Sequence, residues 1–108
     1  MTVFMSRDKK PISTGRKWLT FRPLTHKEKG GKRYCFMCER VRGGFGSGNL
    51  STPYFFDLRF MDDYWAKALG FENVQEYLNE PYNKTNGDYL RKAYIISDFI
   101  PNEKGGDF

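Results

Sequence analysis

The stretch ISTGRKWLTFR, Ile12 to Arg22, decides how the rest of the chain is read. Trp18, Leu19, Thr20 and Phe21 are aromatic, aliphatic and β-branched residues of the kind that pack on a pleated sheet. Gly15 ahead of them and Pro23 behind them mark the ends of a strand. Arg16, Lys17 and Arg22 are set among these apolar residues. Such cations either guard a strand edge against pairing with other chains or face a negatively charged or polar ligand. In an extended strand Lys17, Leu19 and Phe21 point one way, and Trp18, Thr20 and Arg22 the other. Lys17 adjoins the glycine turn, so its long side chain can swing into a cleft at the strand's mouth.

Outward from this stretch, the 108 residues are expected to form one domain, 1–108, with a loose tail over 101–108. Aromatic residues make up 18% of the chain, so the core is expected to be built from Phe and Tyr rings. The net charge of +5 is unevenly divided. Residues 1–42 hold twelve Lys/Arg against three Asp/Glu, a balance of +9; residues 43–108 hold six against ten, a balance of −4. That asymmetry points to a surface facing a polyanion, or to a solvated basic face. No apolar run approaches the roughly 20 residues that span a bilayer. The opening MTVFMSRDKKPIS has neither the apolar stretch nor the cleavage site of a signal peptide, and there are only two cysteines, so the cytoplasm is the expected compartment.

Pro11 limits the opening residues to a helical turn or two before Gly15. THKEKGGK, Thr25 to Lys32, is a charged turn, and RYCFMCERV, Arg33 to Val41, a second strand with Tyr34, Phe36 and Cys38 on one side. RGGFGSGNLSTP, Arg42 to Pro53, reads as a flexible glycine-rich hairpin loop, and YFFDLRFM, Tyr54 to Met61, as a third strand. The period then lengthens. Asp62 or Asp63 caps a short helix with Trp65, Ala68 and Leu69 on one face, ended by Gly70. Phe71, Val74, Tyr77 and Leu78 give a second amphipathic helix closed by Pro81. YLRKAYIISDFI, Tyr89 to Ile100, is the last strand. The order β, β, β, α, α, β fits a small α+β domain or a partly closed barrel with helices over one end.

Several motifs carry less than they first suggest. Cys35 and Cys38 have zinc-like spacing, but a structural zinc needs four ligands and His26 is the only other soft donor, so no metal is expected. Both cysteines read as small strand residues. GGFGSGN, Gly43 to Asn49, lacks the Gly-Lys-Ser/Thr ending of a phosphate loop, and no cofactor is expected. A lone His26 in an exposed turn makes no catalytic triad.

Ile12, Gly15, Arg16, Lys17, Thr20 and Arg22 fit the pattern I-x-x-G-[RK]-K-x-x-T-x-R, which resembles the signature of the ASCH family. LGFENVQEYL, Leu69 to Leu78, and AYIISDF, Ala93 to Phe99, resemble its later segments, in the same order. The resemblance implies an α+β, PUA-like small β-barrel with two or three short helices, and a cleft between barrel and helices for RNA, a nucleotide or a modified nucleoside. Members similar to the bacterial N4-acetylcytidine amidohydrolase use a Lys and a Thr of this motif with a Glu from the helical region. Carried over, Lys17 is the base or activator and Thr20 the nucleophile. The family's Glu falls near Ala68 and Leu69, where this chain has no acid; Asp62, Asp63 and Glu72 are the nearest carboxylates.

The function expected from all this is binding of RNA or a modified nucleoside. Lys17 and Arg22 line the cleft, Trp18 or Tyr64 offers a stacking face, and Arg16, Lys32, Arg33, Arg40 and Arg42 supply the outer electrostatic surface. Two alternatives stand beside it: an amidohydrolase removing an acyl group from N4-acetylcytidine-like nucleosides, and a protein-interaction module presenting the basic face to an acidic partner.

Overall fold

Tyr34, Phe36 and Cys38 alternate along one side of a strand and bury their side chains, setting one wall of the fold. The computed structural model describes residues 2–38, 41–83, 85 and 87–102. Along the chain lie β1 (Thr2–Phe4), α1 (Lys9–Ser13), β2 (Leu19–Arg22), β3 (Lys32–Cys38), β4 (Val41–Leu50) and β5 (Tyr54–Asp57), then α2 (Asp63–Ala68), α3 (Val74–Asn79) and β6 (Leu90–Pro101). Single 3-10 turns at Ser6–Asp8, Leu58–Phe60 and Pro81–Asn83 join some of them.

The strands form one mixed sheet in the order β1-β3-β4-β6-β2, curled into a half-barrel. β1 runs parallel to β3, and the other pairs are antiparallel. The long β6 joins the two halves: Ile96 to Pro101 pair with β4, and Leu90 to Ala93 pair with β5. On its other edge Lys92 to Ile95 pair with β2. The architecture is the α+β, PUA-like arrangement expected from the sequence.

The core has two parts. Phe4, Ile12, Tyr34, Phe36, Phe45, Leu50, Tyr94 and Ile96 fill the curl of the sheet. Leu19, Ala66, Ala68, Leu69, Tyr77 and Ala93 join the helices to β2 and β6, with Trp18, Phe21, Phe56, Trp65 and Phe71 packed around them. Aromatic rings dominate the first part, as the composition predicts. In the second, Tyr77 is the one aromatic among the buried residues, and the other rings are half-buried around Leu and Ala.

The glycine-rich segment departs from the loop expected of it. β4 pairs with β3 and β6 along most of its length. Its glycines make room for rings that lie over the backbone. A Cβ at Gly46 would meet the Phe99 ring at 2.4 Å, and one at Gly48 would meet the Phe36 ring at 2.8 Å. Phe36 and Phe99 supply the apolar cover that the strand's own side chains lack, which is how aromatics rescue glycine in a sheet. Composition alone reads such a segment as a turn.

Smaller differences have local causes. β1 is an added strand ahead of the short helix. The strand expected over Tyr54 to Met61 ends at Asp57, whose carboxylate accepts from Arg59 N and turns the chain. β6 runs through Pro101, and Asn102 donates to the carbonyls of Phe45 and Gly44, so the start of the expected tail is tied to β4. Residues 103–108 lie outside the described residues. α2 follows the expected signals: Asp62 caps it by accepting from Trp65 N, and Gly70 follows it at φ +97°. α3 starts later than expected, at Val74, because Asn73 accepts from Glu76 N, so Phe71 packs ahead of the helix and Leu78 is exposed. Among the described residues, no helix is long and apolar enough to cross a membrane.

Candidate functional site

α1 ends at Thr14, and Gly15, at φ +77°, turns the chain back toward the sheet. The three residues that follow are held between two helix ends. Lys17 N donates to Pro11 O and Trp18 N to Ala68 O, while Trp18 O accepts from Ile96 N. The paired ladder with β6 starts only at Leu19. Lys17 therefore lies ahead of the strand, and strict alternation, which sets it opposite Thr20, does not apply to it. Both residues line one cleft of about 690 Å³, with Arg22, Arg91, Asp8 and Asp88. Phe4, Phe21, Leu69, Phe71 and Tyr77 form its apolar walls, so the cleft opens along the seam between the two parts of the core. Its size is that of ordinary ligand sites.

Lys17 is 6% exposed, and its Nζ donates to Leu69 O at 3.0 Å. Leu69 is the capping residue at the carbonyl end of α2, where a cation is favoured. Burial pulls the Lys17 pKa down from 10.5 to about 8; Asp8 opposes the fall, and Arg22 and Arg7 add to it. Thr20 is 3% exposed and sits opposite Tyr94 in the β2–β6 ladder.

Arg22 serves the fold as well as the cleft. Its Nη2 donates to Val3 O at 2.8 Å and to Thr2 Oγ1 at 3.2 Å, and the guanidinium lies over the Phe4 ring. Burial lowers its pKa, opposed by Glu28, Asp8 and Tyr94. Three cations and two carboxylates line the cleft, so its charge is mixed rather than uniformly basic.

Neither carboxylate was singled out from the sequence: Asp88 pairs with Arg91 at 3.8 Å, and the other is Asp8. It stands at the start of α1, makes no side-chain capping hydrogen bond and faces Lys17 and Arg22 electrostatically. One signal was available. Asp8 is one of only three acids in residues 1–42, set just ahead of Pro11. The three acids singled out are occupied elsewhere: Asp62 caps α2, Asp63 accepts from Val74 N, and Glu72 pairs with Arg16 at 3.5 Å. None of them lines this cleft.

The remaining candidates separate into two groups. Arg16 and Trp18 line a smaller, adjoining cleft of about 350 Å³ with Tyr64, Lys67, Ala68, Phe71 and Glu72. Lys32 lies over the Tyr34 ring, and Arg33 donates to Ser47 Oγ and Asp98 O; neither lines either of these two clefts. Arg40 lies outside the described residues, as does the side chain of Arg42, whose backbone is in β4. Among the described residues, no group of three His, Cys, Asp or Glu is placed to hold a metal ion. Cys35 is exposed and Cys38 buried, as thiols.

Solved structures share this fold. The crystal structure of ASCH from Zymomonas mobilis matches with a TM-score of 0.62 at 18% identity, covering 95% of this chain and 72% of that one. Two point mutants of the same protein match at 0.64 and 0.61, with 20% and 18% identity, covering 92% and 95% of this chain and 67% and 74% of theirs. This chain has the ASCH fold. No family model and no curated protein matches it by sequence. The resemblance carried by Ile12 to Arg22 is thus upheld by the three-dimensional arrangement. In this ASCH fold the motif supplies the turn at Gly15, the anchored Lys17, and the strand bearing Thr20 and Arg22.

Proposed function

We propose that the larger cleft binds a nucleoside unit of RNA, or a modified nucleoside, with Lys17 and Arg22 as its cationic contacts and Phe71 or Phe21 as an apolar face for the base. One observation carries the reading: Lys17, Thr20, Arg22 and Asp8 line a single cleft of ligand size, walled by aromatic rings. Cations serve phosphate and the acceptors of a base; Asp8 and the Thr20 hydroxyl serve exocyclic amines and ribose hydroxyls. The strongly basic residues 1–42 support a polyanionic partner, and the reading places the protein in the cytoplasm. Titration of a labelled single-stranded RNA at rising salt tests it. Binding that weakens with salt and with Lys17→Met upholds the reading. No binding of RNA or nucleoside at low salt, or preference for an acidic protein that RNA does not compete away, overturns it.

A second reading, hydrolysis of an acyl-amide on such a nucleoside, is favoured by the buried Lys17 amine, with its pKa near 8, in the same cleft as Thr20 and Asp8. A neutral Lys17 amine keeps one N–H on Leu69 O and turns its lone pair to the Thr20 hydroxyl. It takes the hydroxyl proton as Thr20 Oγ1 attacks the acyl carbon. The C–N bond breaks, and the exocyclic amine leaves with that proton. Water then cleaves the acyl-threonine ester, releasing the carboxylic acid and restoring Thr20. Asp8 offsets the charge on Lys17 while it holds the proton. Incubation with N4-acetylcytidine, followed by mass spectrometry for cytidine and acetate, tests this step. Release that Thr20→Val abolishes supports it; release that survives Thr20→Val removes Thr20 as nucleophile.

A further inference from the structure

The chain from Arg16 to Trp18 divides its side chains between two clefts. Lys17 lines the larger one, and Arg16 and Trp18 line the smaller. Phe71 belongs to both, and the neighbouring Leu69 and Ala68 face one each, so the clefts share a wall.

The smaller cleft has the chemistry of a nucleotide seat. Trp18 is half-buried and fixed by its backbone bonds to Ala68 and Ile96. Tyr64, in the first turn of α2, is 62% exposed, and its ring meets Trp18 edge-on at 6.2 Å. Rigid aromatic faces open to solvent are platforms for base stacking. Arg16 and Lys67 stand on the rim with exposed head groups, and Glu72 takes up part of the charge of Arg16. Tyr64 also meets the Trp65 ring edge-on at 5.0 Å, yet most of its own surface stays in solvent. The helix is already capped by Asp62 and packed through Ala66 and Ala68.

We propose that the smaller cleft seats the nucleotide next to the one in the larger cleft, so that the ligand is a single-stranded oligonucleotide and not an isolated nucleoside. Tyr64 and Trp18 carry the neighbouring base, and Arg16 and Lys67 the phosphate between or beyond the two. This rests on the nucleoside reading of the larger cleft and names the substrate class of that site. Stacking of one base on such a face changes affinity about 5- to 150-fold.

The test compares hexacytidylate RNA, its DNA counterpart and cytidine monophosphate on the intact chain, read by quenching of tryptophan fluorescence and by calorimetry. Variants are Tyr64→Ala, Lys67→Glu and Lys17→Met, each checked for an unchanged unfolding midpoint or compared with a second variant, Tyr64→Ser. The expected result is that a hexamer binds at least tenfold more tightly than the mononucleotide, with the tighter of RNA and DNA naming the strand. Tyr64→Ala and Lys67→Glu weaken the hexamer at least fivefold and leave the mononucleotide unchanged; Lys17→Met weakens both. Equal affinity for hexamer and mononucleotide, or hexamer binding indifferent to Tyr64 and Lys67, overturns the proposal while leaving the larger cleft's reading intact. Binding of none of the three probes overturns both.

Discussion

The Lys17 ammonium donates to the Leu69 carbonyl at 3.0 Å, so the residue of greatest chemical interest also closes the end of a helix. The bond keeps a buried amine from being orphaned, but it does not replace the water the amine has lost. Its folded pKa of about 8 lies below the unfolded 10.5. Below pH 8 the amine is protonated in both states, and the folded state bears the cost of burying it. Between pH 8 and 10.5 the unfolded chain binds more protons, so stability rises with pH and the cost is relieved. The whole span is worth about 3 kcal/mol. Urea unfolding of wild type and Lys17→Met at pH 7, 8.5 and 10 should show wild type gaining on the variant by up to about that amount. A difference that stays flat with pH would mean that Lys17 is solvated.

Asp8 opposes the fall in the Lys17 pKa, so Asp8→Asn should lower that pKa further. Nitrogen-detected NMR of the lysine amines reads this directly. If the chain hydrolyses an acyl-nucleoside, the rising limb of its pH–rate profile should move to lower pH in the same variant. An unmoved Lys17 resonance would place Asp8 too far away to act on it.

The fold and the candidate site were legible in the sequence to different depths. The strand over Leu19 to Arg22, the two helices and the closing strand followed from apolar period, with Asp62 as a cap for the first helix, and these are local signals. β4 was not legible, because its strand character resides in Phe36 and Phe99, residues distant in sequence that cover its glycines. The site was half legible. Lys17 and Thr20 stood in the motif, but their meeting depends on Lys17 bonding to Pro11 and Leu69 ahead of the ladder. Asp8 reaches the cleft through the packing of α1, for which a single sequence carries no pattern.

Gly46 tests the account of β4. Replacing a strand glycine by alanine ordinarily stabilises by about 0.5–1 kcal/mol, because the unfolded chain loses freedom. At Gly46 the new Cβ would lie 2.4 Å from the Phe99 ring and 2.6 Å from Ile100 O, which belongs to a paired strand. Gly46→Ala should therefore destabilise by about 1–3 kcal/mol in urea unfolding. A stabilised variant would remove the ring-over-glycine packing as the reason for the strand.

Gly70 lies between Leu69, at the end of α2, and Phe71, both of which line the larger cleft. Its φ of +97° is strained for any residue with a side chain, and a Cβ there would lie 3.4 Å from Lys17 Cβ and 3.5 Å from Pro11 Cβ. Gly87, at φ +87°, has nothing within 4 Å of the same position and serves as the control. Both Gly70→Ala and Gly87→Ala should cost about 1–2 kcal/mol through backbone strain. The new Cβ at Gly70 starts at ordinary van der Waals contact with Lys17, so a shift of Lys17 can come only from the backbone moving to relieve the strained φ. Where it does, Gly70→Ala should weaken RNA or nucleoside binding beyond what lost stability explains, with titrations run well below both unfolding midpoints. Equal binding by the two variants would show that the position of Lys17 is set by its own bonds to Pro11 and Leu69 and not by the space that Gly70 leaves it.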